Sequence, residues 1–222
     1  MDNKIENYVA DDLIALLQGL VSEHPVPLRE GKRSRGAQTK RRILDTAIAL
    51  LATAPLAEFT FRNLADRLDM RIGNLTYHYK TKADLLKDMM RVHLANYAED
   101  ILGLLQITEA SPREALEKVV TYLVQDLRAP EIAFFVQLWA LALYDDTAAE
   151  QMDRLHELER LVIASLIHAT RPDWEQHACD ELALNVAATI EGLTIFIGRN
   201  RKSEGIYAAP EQEIIRILRQ VL

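Results

Sequence analysis

The run from Thr60 to Lys82, TFRNLADRLDMRIGNLTYHYKTK, constrains the fold of this chain more than any other segment. In its first half, apolar residues recur at positions i, i+3, i+4 and i+7, which gives a helix one apolar face. Asp69 then interrupts the period, and aspartate is one of the few residue types that tolerates a left-handed backbone at a turn. The run therefore predicts a short helix, a tight turn and a second short helix.

The second of these helices, from about Arg71 to Tyr79, has little apolar backing. We predict that only Ile72, Leu75 and Tyr79 face a core. The positions left for something outside the protein are Arg71, Gly73, Asn74, Thr76, Tyr77 and His78. A row of hydrogen-bonding side chains on an exposed short helix suits a DNA groove.

Charge is distributed in a way that supports this interpretation. The whole chain has 26 Lys and Arg against 33 Asp and Glu, a formal net charge of −7. Residues 32 to 93, however, contain 13 Lys and Arg against 6 Asp and Glu, so the rest is strongly acidic. Because charges beyond a Debye length of about 8 Å are screened, a compact basic segment attached to an acidic body can still bind phosphate.

A further helix precedes the run. Apolar residues at helical spacing between Ile43 and Leu51 predict it, with Thr39 as its N-cap and Pro55 beyond its end. Thr60 is expected to cap the next helix, and Thr81 with Asp84 forms a capping box for the helix after that. Together these elements predict a three-helix DNA-binding domain of about 50 residues.

Two segments, TKRRILDTAIALLA and FTFRNLADRLDMRIGNLTYHYKTKADLL, resemble the N-terminal DNA-binding domain of the TetR family of bacterial transcriptional regulators. The resemblance spans Thr39 to Leu86. The positions in register with the family pattern include Gly73, Leu75, Tyr77, His78, Tyr79 and Lys82. Three departures stand at Asp69, where glycine is usual, at Arg71, where a small capping residue is common, and at Thr76, where an aromatic residue is common.

The resemblance implies roles for individual residues. By position, Arg62, Ile72, Gly73 and Asn74 are expected to face bases. Thr60, Tyr77, His78 and Lys82 match positions that hold phosphates, and their side chains all donate to phosphate oxygen. Lys82 in addition lies at a helix N-terminus, which favours an anion.

Helical periods fill the rest of the chain, so the fold class predicted is all-α. We divide it into an N-terminal amphipathic helix and basic linker (1–38), a helix-turn-helix domain (39–86) and a larger helical ligand-binding and dimerisation domain (87–222). Residues 1–24 predict a helix that docks on the body or on a partner subunit. In the linker, Lys32, Arg33 and Arg35 form either a basic arm that contacts DNA or a solvated connection.

The predicted helix from Ile132 to Tyr144, IAFFVQLWALALY, is apolar on almost every side, so we expect it to be covered all round at the centre of the second domain. Its aromatic residues and those of neighbouring helices can line a cavity for an apolar or amphipathic ligand, or fill a core; the resemblance adds support for a cavity and leaves both open. The residues concerned are Met90, His93, Tyr97, Tyr122, Phe134, Phe135 and Trp139.

Two long helices, 147–170 and 173–200, resemble the pair through which the family dimerises as a four-helix bundle. An apolar stripe on the second contains Leu182, Val186, Thr189, Ile190, Leu193, Phe196 and Ile197. Packing within the chain is the alternative for this stripe.

Catalytic and metal motifs do not occur. His156-Glu157 starts like a zinc-protease motif but lacks the second histidine, and one cysteine makes no thiolate cluster. We therefore expect no cofactor, no metal and no membrane association, and a cytoplasmic location. The expected function is a homodimeric, ligand-responsive repressor that binds a palindromic operator in double-stranded DNA and is released by a small-molecule effector. The alternative is a small-molecule-binding helical protein or enzyme without operator function.

Overall fold

The computed structural model describes residues 11–25, 35–107, 111–129, 132–197 and 209–222. All regular structure within these ranges is helical, which confirms the all-α prediction. The helices are α1 (Asp11–Ser22), α2 (Arg35–Thr53), α3 (Phe61–Arg67), α4 (Ile72–His78), α5 (Lys82–Ile107), α6 (Pro112–Asp126), α7 (Ile132–Ala142), α8 (Asp146–Thr170), α9 (Gln176–Leu193) and α10 (Pro210–Val221), with a 3₁₀ turn at Leu56–Glu58.

These helices form two compact units. The helix-turn-helix unit contains residues 20–96 and 130–153, and the body unit contains residues 1–19, 97–129 and 154–222. Helices α1, α5 and α8 each contribute residues to both units. The boundaries at residues 38 and 86 that the sequence suggests remain predictions.

Helix α2 begins earlier than predicted. It starts at Arg35, and the Thr39 hydroxyl donates a hydrogen bond to the Arg35 carbonyl at 3.0 Å. Thr39 is thus an interior residue and not the N-cap, because a threonine hydroxyl can also bond back to a carbonyl four residues earlier. Of the predicted basic arm, Arg35 opens this helix, whereas Lys32 and Arg33 lie outside the described residues.

The turn between α3 and α4 is set by hydrogen bonds of the Schellman type. The N–H of Asp69 donates to the Asp66 carbonyl at 3.1 Å, and the N–H of Met70 to the Ala65 carbonyl at 3.0 Å. This geometry requires a left-handed residue, and Asp69 has φ 51°. The Arg42 guanidinium donates to the Leu68 carbonyl at 3.2 Å, so α2 also holds the end of α3.

Helix α4 turns only part of its predicted core face inward. Leu75 and Tyr79 are buried, but Ile72 is 52% exposed, so its prediction as a core residue is wrong. Ile72 is the first residue of α4 and directly follows the extended N-cap residue Arg71. At that end of the helix the side chain projects beyond the part that packs, which leaves it to solvent.

The caps of the following helices agree with the sequence. Thr81 and Asp84 exchange capping hydrogen bonds at 3.1 Å in both directions at the start of α5. Ser111 and Glu114 form the equivalent capping box at α6, with Pro112 at its first position. One face of α5 is buried throughout, and it contains Leu85, Leu86, Met89, Met90, Leu94, Tyr97, Ile101 and Leu105.

Helix α7 is not covered on every side. Val136 and Ala140 are exposed within it, and Leu143 and Tyr144 are exposed just beyond its end, so the expectation of an all-round buried helix is wrong. The helix belongs to the helix-turn-helix unit, where it packs on α2. Gln137 donates to the carbonyls of Leu51 at 2.7 Å and of Ala54 at 2.6 Å, so a polar contact fixes one side of a helix whose hydropathy alone suggested burial all round.

Helices α8 and α9 of the body unit run antiparallel. Sγ of Cys179 lies 3.9 Å from Nδ1 of His168, and Glu159 bonds to Glu191 further along the pair. Helix α9 ends at Leu193 and not near residue 200, because Thr194 and Ile195 turn back to carbonyls three residues earlier. Val186, Ile190 and Ile197 of the predicted stripe are buried within the chain, so much of that stripe packs internally.

The remaining helices complete the body unit. Helix α6 packs against α9 and α10, and Arg219 of α10 forms a bidentate ion pair with Glu117 of α6 at 2.6 and 2.7 Å. Helix α1 buries Leu13 and Leu17, so the described part of the predicted N-terminal helix docks on this chain. Its predicted first turns, residues 1–10, lie outside the described residues.

The left-handed turn residue supports a prediction about stability. Replacing Asp69 by glycine removes the steric cost of its positive φ, which exceeds the extra chain entropy that glycine loses on folding. We expect Asp69→Gly to raise the free energy of unfolding by about 0.5–1 kcal/mol. Urea denaturation followed by circular dichroism measures this change.

Asp66→Gly is the matched control, since Asp66 is an exposed acidic residue inside α3. There, glycine is expected to reduce stability by a few tenths of a kcal/mol because it is a poorer helix former. If Asp69→Gly destabilises the protein as much as Asp66→Gly does, the strain assigned to the turn is absent.

Candidate nucleic-acid interface

Helix α4 presents a continuous exposed row of the side chains that the sequence suggested. Arg71, Ile72, Gly73 and Asn74 are all exposed, and Tyr77 is 78% exposed. The backbone explains this row, because Leu75 and Tyr79 take the inward positions and leave the rest of a two-turn helix outside. The side chain of Arg71 makes no capping bond to α4, so its guanidinium is not used to close the helix.

Gly73 lies at the centre of the row in an open position. A Cβ built on Gly73 meets no described atom within 4 Å. Packing within the protein therefore does not explain a glycine here, and neither does backbone conformation, since the residue is helical. The absence of a side chain instead brings the α4 backbone closer to any surface that approaches from outside.

Two residues of the predicted set are less accessible. Thr76 is half-buried and its hydroxyl donates to the Gly73 carbonyl at 3.2 Å. His78 is half-buried, and its ring meets that of Tyr77 edge to face at 5.4 Å. The Tyr77 side chain keeps this one ring contact and is otherwise exposed, so its hydroxyl is accessible to a phosphate.

Residues from the flanking helices extend the exposed row. Thr60 accepts a hydrogen bond from the Asn63 N–H at 3.2 Å as N-cap of α3, and Arg62 is exposed in the first turn of that helix. The Lys82 ammonium lies 5.1 Å from the centre of the Phe59 ring at the start of α5. The cation–π contact with Phe59 positions this ammonium beside a helix N-terminus, so the lysine charge and the helix dipole both favour an anion there.

A buried carboxylate that sequence reasoning missed supports α4 from below. Asp88 of α5 accepts a hydrogen bond from the Tyr79 hydroxyl at 3.1 Å and pairs with Lys40 of α2 at 2.7 Å and with Arg91 at 3.1 Å. Burial, and then the charge of Asp88, raises the pKa of the Tyr79 hydroxyl, so it remains a donor. The sequence contained one indication, since Asp88 interrupts the apolar positions LL-K-D-MM of α5.

The predicted ligand residues fall into two groups. Met90, Phe134 and Phe135 are buried in the helix-turn-helix unit with the half-buried Trp139. His93 is half-buried there, its ring 4.2 Å from that of Phe135, and burial lowers its pKa to about 4. The imidazole is consequently neutral at physiological pH.

The other two predicted residues, Tyr97 and Tyr122, belong to the body unit. Their ring centres are 6.2 Å apart, and the Tyr122 hydroxyl donates to Asp100 at 2.8 Å. Burial raises the pKa of both hydroxyls. Tyr122 also lines a groove of about 490 Å³ between α5, α6 and α10, whose wall includes Leu104, Thr121, Gln125 and Ile215.

Within the described ranges, no group of three or more His, Cys, Asp and Glu side chains is placed to hold a metal ion. None of the described helices is long and apolar enough to cross a membrane.

Family models match both parts of the chain. The model of bacterial regulatory proteins of the tetR family matches residues 43–89, and the model of the C-terminal domain of BetI-type transcriptional repressors matches residues 112–216. Together these matches cover more than half of the chain. The protein therefore belongs to the TetR family and is a ligand-responsive, DNA-binding transcriptional regulator, which confirms the resemblance seen in the sequence.

Solved structures agree at the level of the fold. A protein from Saccharomonospora viridis, assigned as a transcriptional regulator and in complex with choline, has 21% sequence identity and a TM-score of 0.69, with 82% of this chain and 96% of that chain covered. Salmonella enterica GusR has 16% identity and a TM-score of 0.62, with 86% and 96% covered. A TerR/AcrR-family transcriptional regulator from Aquifex aeolicus has 15% identity and a TM-score of 0.59, with 83% and 99% covered.

Among curated protein sequences, none gives a significant match to this chain.

The open position of Gly73 yields a prediction that separates folding from DNA binding. Alanine at an exposed helical position is expected to stabilise the protein by about 0.5 kcal/mol. Its methyl group projects from the exposed surface of α4, so we expect Gly73→Ala to weaken duplex binding about tenfold or more. Thermal unfolding and fluorescence anisotropy with labelled duplex measure the two effects.

Gly103→Ala is the control, because a Cβ at Gly103 of α5 also meets nothing within 4 Å. This variant should gain stability and keep its DNA affinity. Unchanged DNA affinity in Gly73→Ala would mean that no DNA surface comes close to residue 73.

Proposed function

We propose that this regulator is a repressor that binds a palindromic operator as a homodimer and leaves it when a small molecule binds. The observation that carries the proposal is the exposed row on α4, in a segment whose charge is positive although the whole chain is acidic. Neutralising phosphates requires nearby Lys and Arg, and reading bases requires exposed hydrogen-bonding side chains in a major groove. Acting on bacterial DNA places the protein in the cytoplasm.

Within this interface the contacts divide into two groups. Asn74 and Arg62 offer hydrogen bonds to base edges, while Ile72 and Gly73 allow apolar contact and close approach. Tyr77, His78, Lys82 and Thr60 contact phosphates, which fixes the position of α4 in the groove. Arg71 and Thr76 depart from the family pattern, so we assign to them part of this protein's own preference for its operator.

The dimer is proposed to form through an outer face of α8 and α9. Leu161 of α8 and Leu184 and Ala188 of α9 are exposed, as is Ile195 just beyond the end of α9. Leu184 and Ala188 are one turn apart and share one side of the helix. Because α8 and α9 are antiparallel, Leu161 lies opposite the middle of the α9 row. Two copies of such a helix pair bury these residues in a four-helix bundle with two-fold symmetry.

A two-fold dimer presents two copies of α4 to successive turns of the major groove, about 34 Å apart. Helix α5 has 26 residues and runs from Lys82 at the proposed DNA surface into the body unit. A ligand that binds one spacing of the two α4 helices better than another shifts the equilibrium between them.

For this ligand, the residues proposed from the sequence are Tyr97 and Tyr122 in the body unit and Met90, His93, Phe134, Phe135 and Trp139 in the other unit. The choline complex of the Saccharomonospora viridis protein supports a small-molecule effector.

Two substitutions test the division between bases and phosphates. Lys82→Ala is expected to weaken binding about tenfold on every duplex and to reduce the salt dependence by about one phosphate per subunit. Asn74→Ala is expected to change the preferred sequence in a randomised-site selection. Lys118→Ala, which removes the same charge in the body unit, should do neither.

Two results would count against this assignment. An unchanged consensus in the selection with Asn74→Ala would remove Asn74 from the base contacts. If the wild-type protein binds no duplex even at low salt, operator binding through α4 is wrong.

A further pair of variants tests the dimer. We expect the wild-type protein to have twice the 25.2 kDa mass of one chain by sedimentation equilibrium. Leu184→Glu places a charge in the proposed interface, so it should raise the dimer dissociation constant at least tenfold and leave helicity unchanged. Ile217→Glu changes an equally exposed residue on α10 and should remain dimeric. A Leu184→Glu protein that stays dimeric at the same concentration would place the interface elsewhere.

A further inference from the structure

The body unit contains buried polar atoms that the packing of its helices does not satisfy. Tyr97, Glu159 and Thr194 are only 5%, 3% and 6% exposed. The Tyr97 hydroxyl, Oε1 of Glu159 and the Thr194 hydroxyl have no hydrogen-bond partner within the part of the chain that the structure describes. Buried oxygens of this kind are destabilising unless they bond to water or to a ligand, so these three oxygens require an explanation.

These atoms lie around a pair of carboxyl groups. Glu159 of α8 shares a hydrogen bond with Glu191 of α9, and Thr194 follows Glu191 by one helical turn. Two carboxyl groups share a hydrogen bond only when one of them holds a proton. Burial is the largest cause that raises the pKa of both groups, and for Glu159 the charge of Glu191 adds to it.

The electrostatic surroundings of this pair are acidic. The groups that raise the pKa of the Tyr97 hydroxyl, after burial, are Glu159, Tyr122, Asp126 and Glu191. Asp100 of α5 accepts a hydrogen bond from Tyr122, and His156 of α8 is the basic group that, among the described residues, lowers the pKa of Glu191. A buried site surrounded by more acidic than basic groups attracts a cation.

We propose that Tyr97, Glu159, Glu191 and Thr194 form the binding site for a protonated amine, an ammonium ion with N–H groups and an apolar substituent. This inference rests on the proposed function, because it makes the amine the effector of the regulator. The N–H groups donate to Oε1 of Glu159 and to the hydroxyls of Tyr97 and Thr194, so one ligand satisfies all three oxygens. The apolar substituent lies against the rings of Tyr97 and Tyr122.

Other occupants fit these atoms less well. A water molecule donates hydrogen bonds but brings no positive charge to these acidic surroundings. An anion is repelled by the acidic surroundings, and a quaternary ammonium ion has no N–H to give to the three oxygens. Tyr122 lines the groove of about 490 Å³ and its ring also neighbours that of Tyr97. Only the Tyr122 side chain therefore separates solvent in the groove from Tyr97.

Binding also has a proton balance. In the free protein the Glu159–Glu191 pair retains one proton in a shared hydrogen bond. An ammonium ion that pairs with Glu159 makes this proton unnecessary, so ligand binding is coupled to release of up to one proton to solvent. No covalent bond forms or breaks apart from that O–H bond.

Isothermal titration of the full-length protein without DNA tests the site. The probes are n-butylamine, protonated at pH 7.5, and its N-trimethylated and alcohol counterparts, n-butyltrimethylammonium and 1-butanol, at constant ionic strength. We expect n-butylammonium to bind at least tenfold more tightly than either counterpart. Its enthalpy should change between buffers of different ionisation enthalpy in the sense of proton release. Equal binding of the quaternary ion or of the alcohol would overturn the proposal.

Variants link this binding to the residues. Glu159→Gln is expected to lose at least tenfold in affinity for n-butylammonium and to abolish the proton release. Its unfolding temperature should be unchanged or higher, because a buried acid has been removed. Tyr97→Phe should weaken binding several-fold. Glu157→Gln, an exposed neighbour on the same helix, is the matched control and should bind as the wild type does. Wild-type affinity in Glu159→Gln would overturn the site.

Failure of this inference is distinguishable from failure of the proposed function. A protein that binds operator duplex but no n-butylammonium overturns the amine site and leaves DNA binding intact. A protein that binds n-butylammonium but no duplex at low salt supports the site and overturns the repressor. When both bind, n-butylammonium should lower operator affinity in the wild type and not in Glu159→Gln, and an unchanged operator affinity would overturn the effector role.

Discussion

The buried carboxylate of Asp88 is the interaction on which the arrangement of the helix-turn-helix unit depends. A charge in a nearly inaccessible position is tolerated only when it is paired, and Asp88 takes its partners from three helices: Lys40 of α2, Tyr79 at the end of α4 and Arg91 of α5 itself. Helix α4 has seven residues, too few to be stable alone. Its orientation therefore comes from Leu75 and Tyr79 below it, and Asp88 specifies which way the Tyr79 end is turned.

Much of this architecture follows from local rules that a sequence displays directly. Thr60 and Thr81 cap the helices that the sequence predicts them to cap, and Asp69 takes the left-handed conformation that its place in the turn suggests. These features depend on residues within one turn of each other. The predictions about Ile72 and α7 are wrong because contacts with residues distant in the sequence determine which side chains are buried. Ile72 is exposed because the packed part of α4 begins after it, and α7 has an open side because its main partner is α2.

The candidate sites show the same distinction. Exposed polar residues on α4 were recognisable because a short helix with few apolar positions has most of its surface outside. The role of Asp88 and the pairing of Glu159 with Glu191 were not recognisable, since each carboxylate meets its partners only after distant segments come together. An acidic residue in a helical pattern is usually assigned to solvent. For Asp88 and for the Glu159–Glu191 pair this usual assignment is wrong, because the carboxyl groups are buried.

The contact of Gln137 with the end of α2 has a consequence for the modularity of the protein. The last carbonyls of a helix have no partner within it, and here those of Leu51 and Ala54 are satisfied by one amide from a segment more than 80 residues later in the sequence. The first helix of the DNA-binding domain thus acquires its C-terminal cap only when α7 is present. A fragment that stops after the helix-turn-helix lacks this cap. The DNA-binding domain is therefore not structurally independent of α7. Recombination between related genes preserves the C-terminal cap of α2 only when α7 is inherited together with α2.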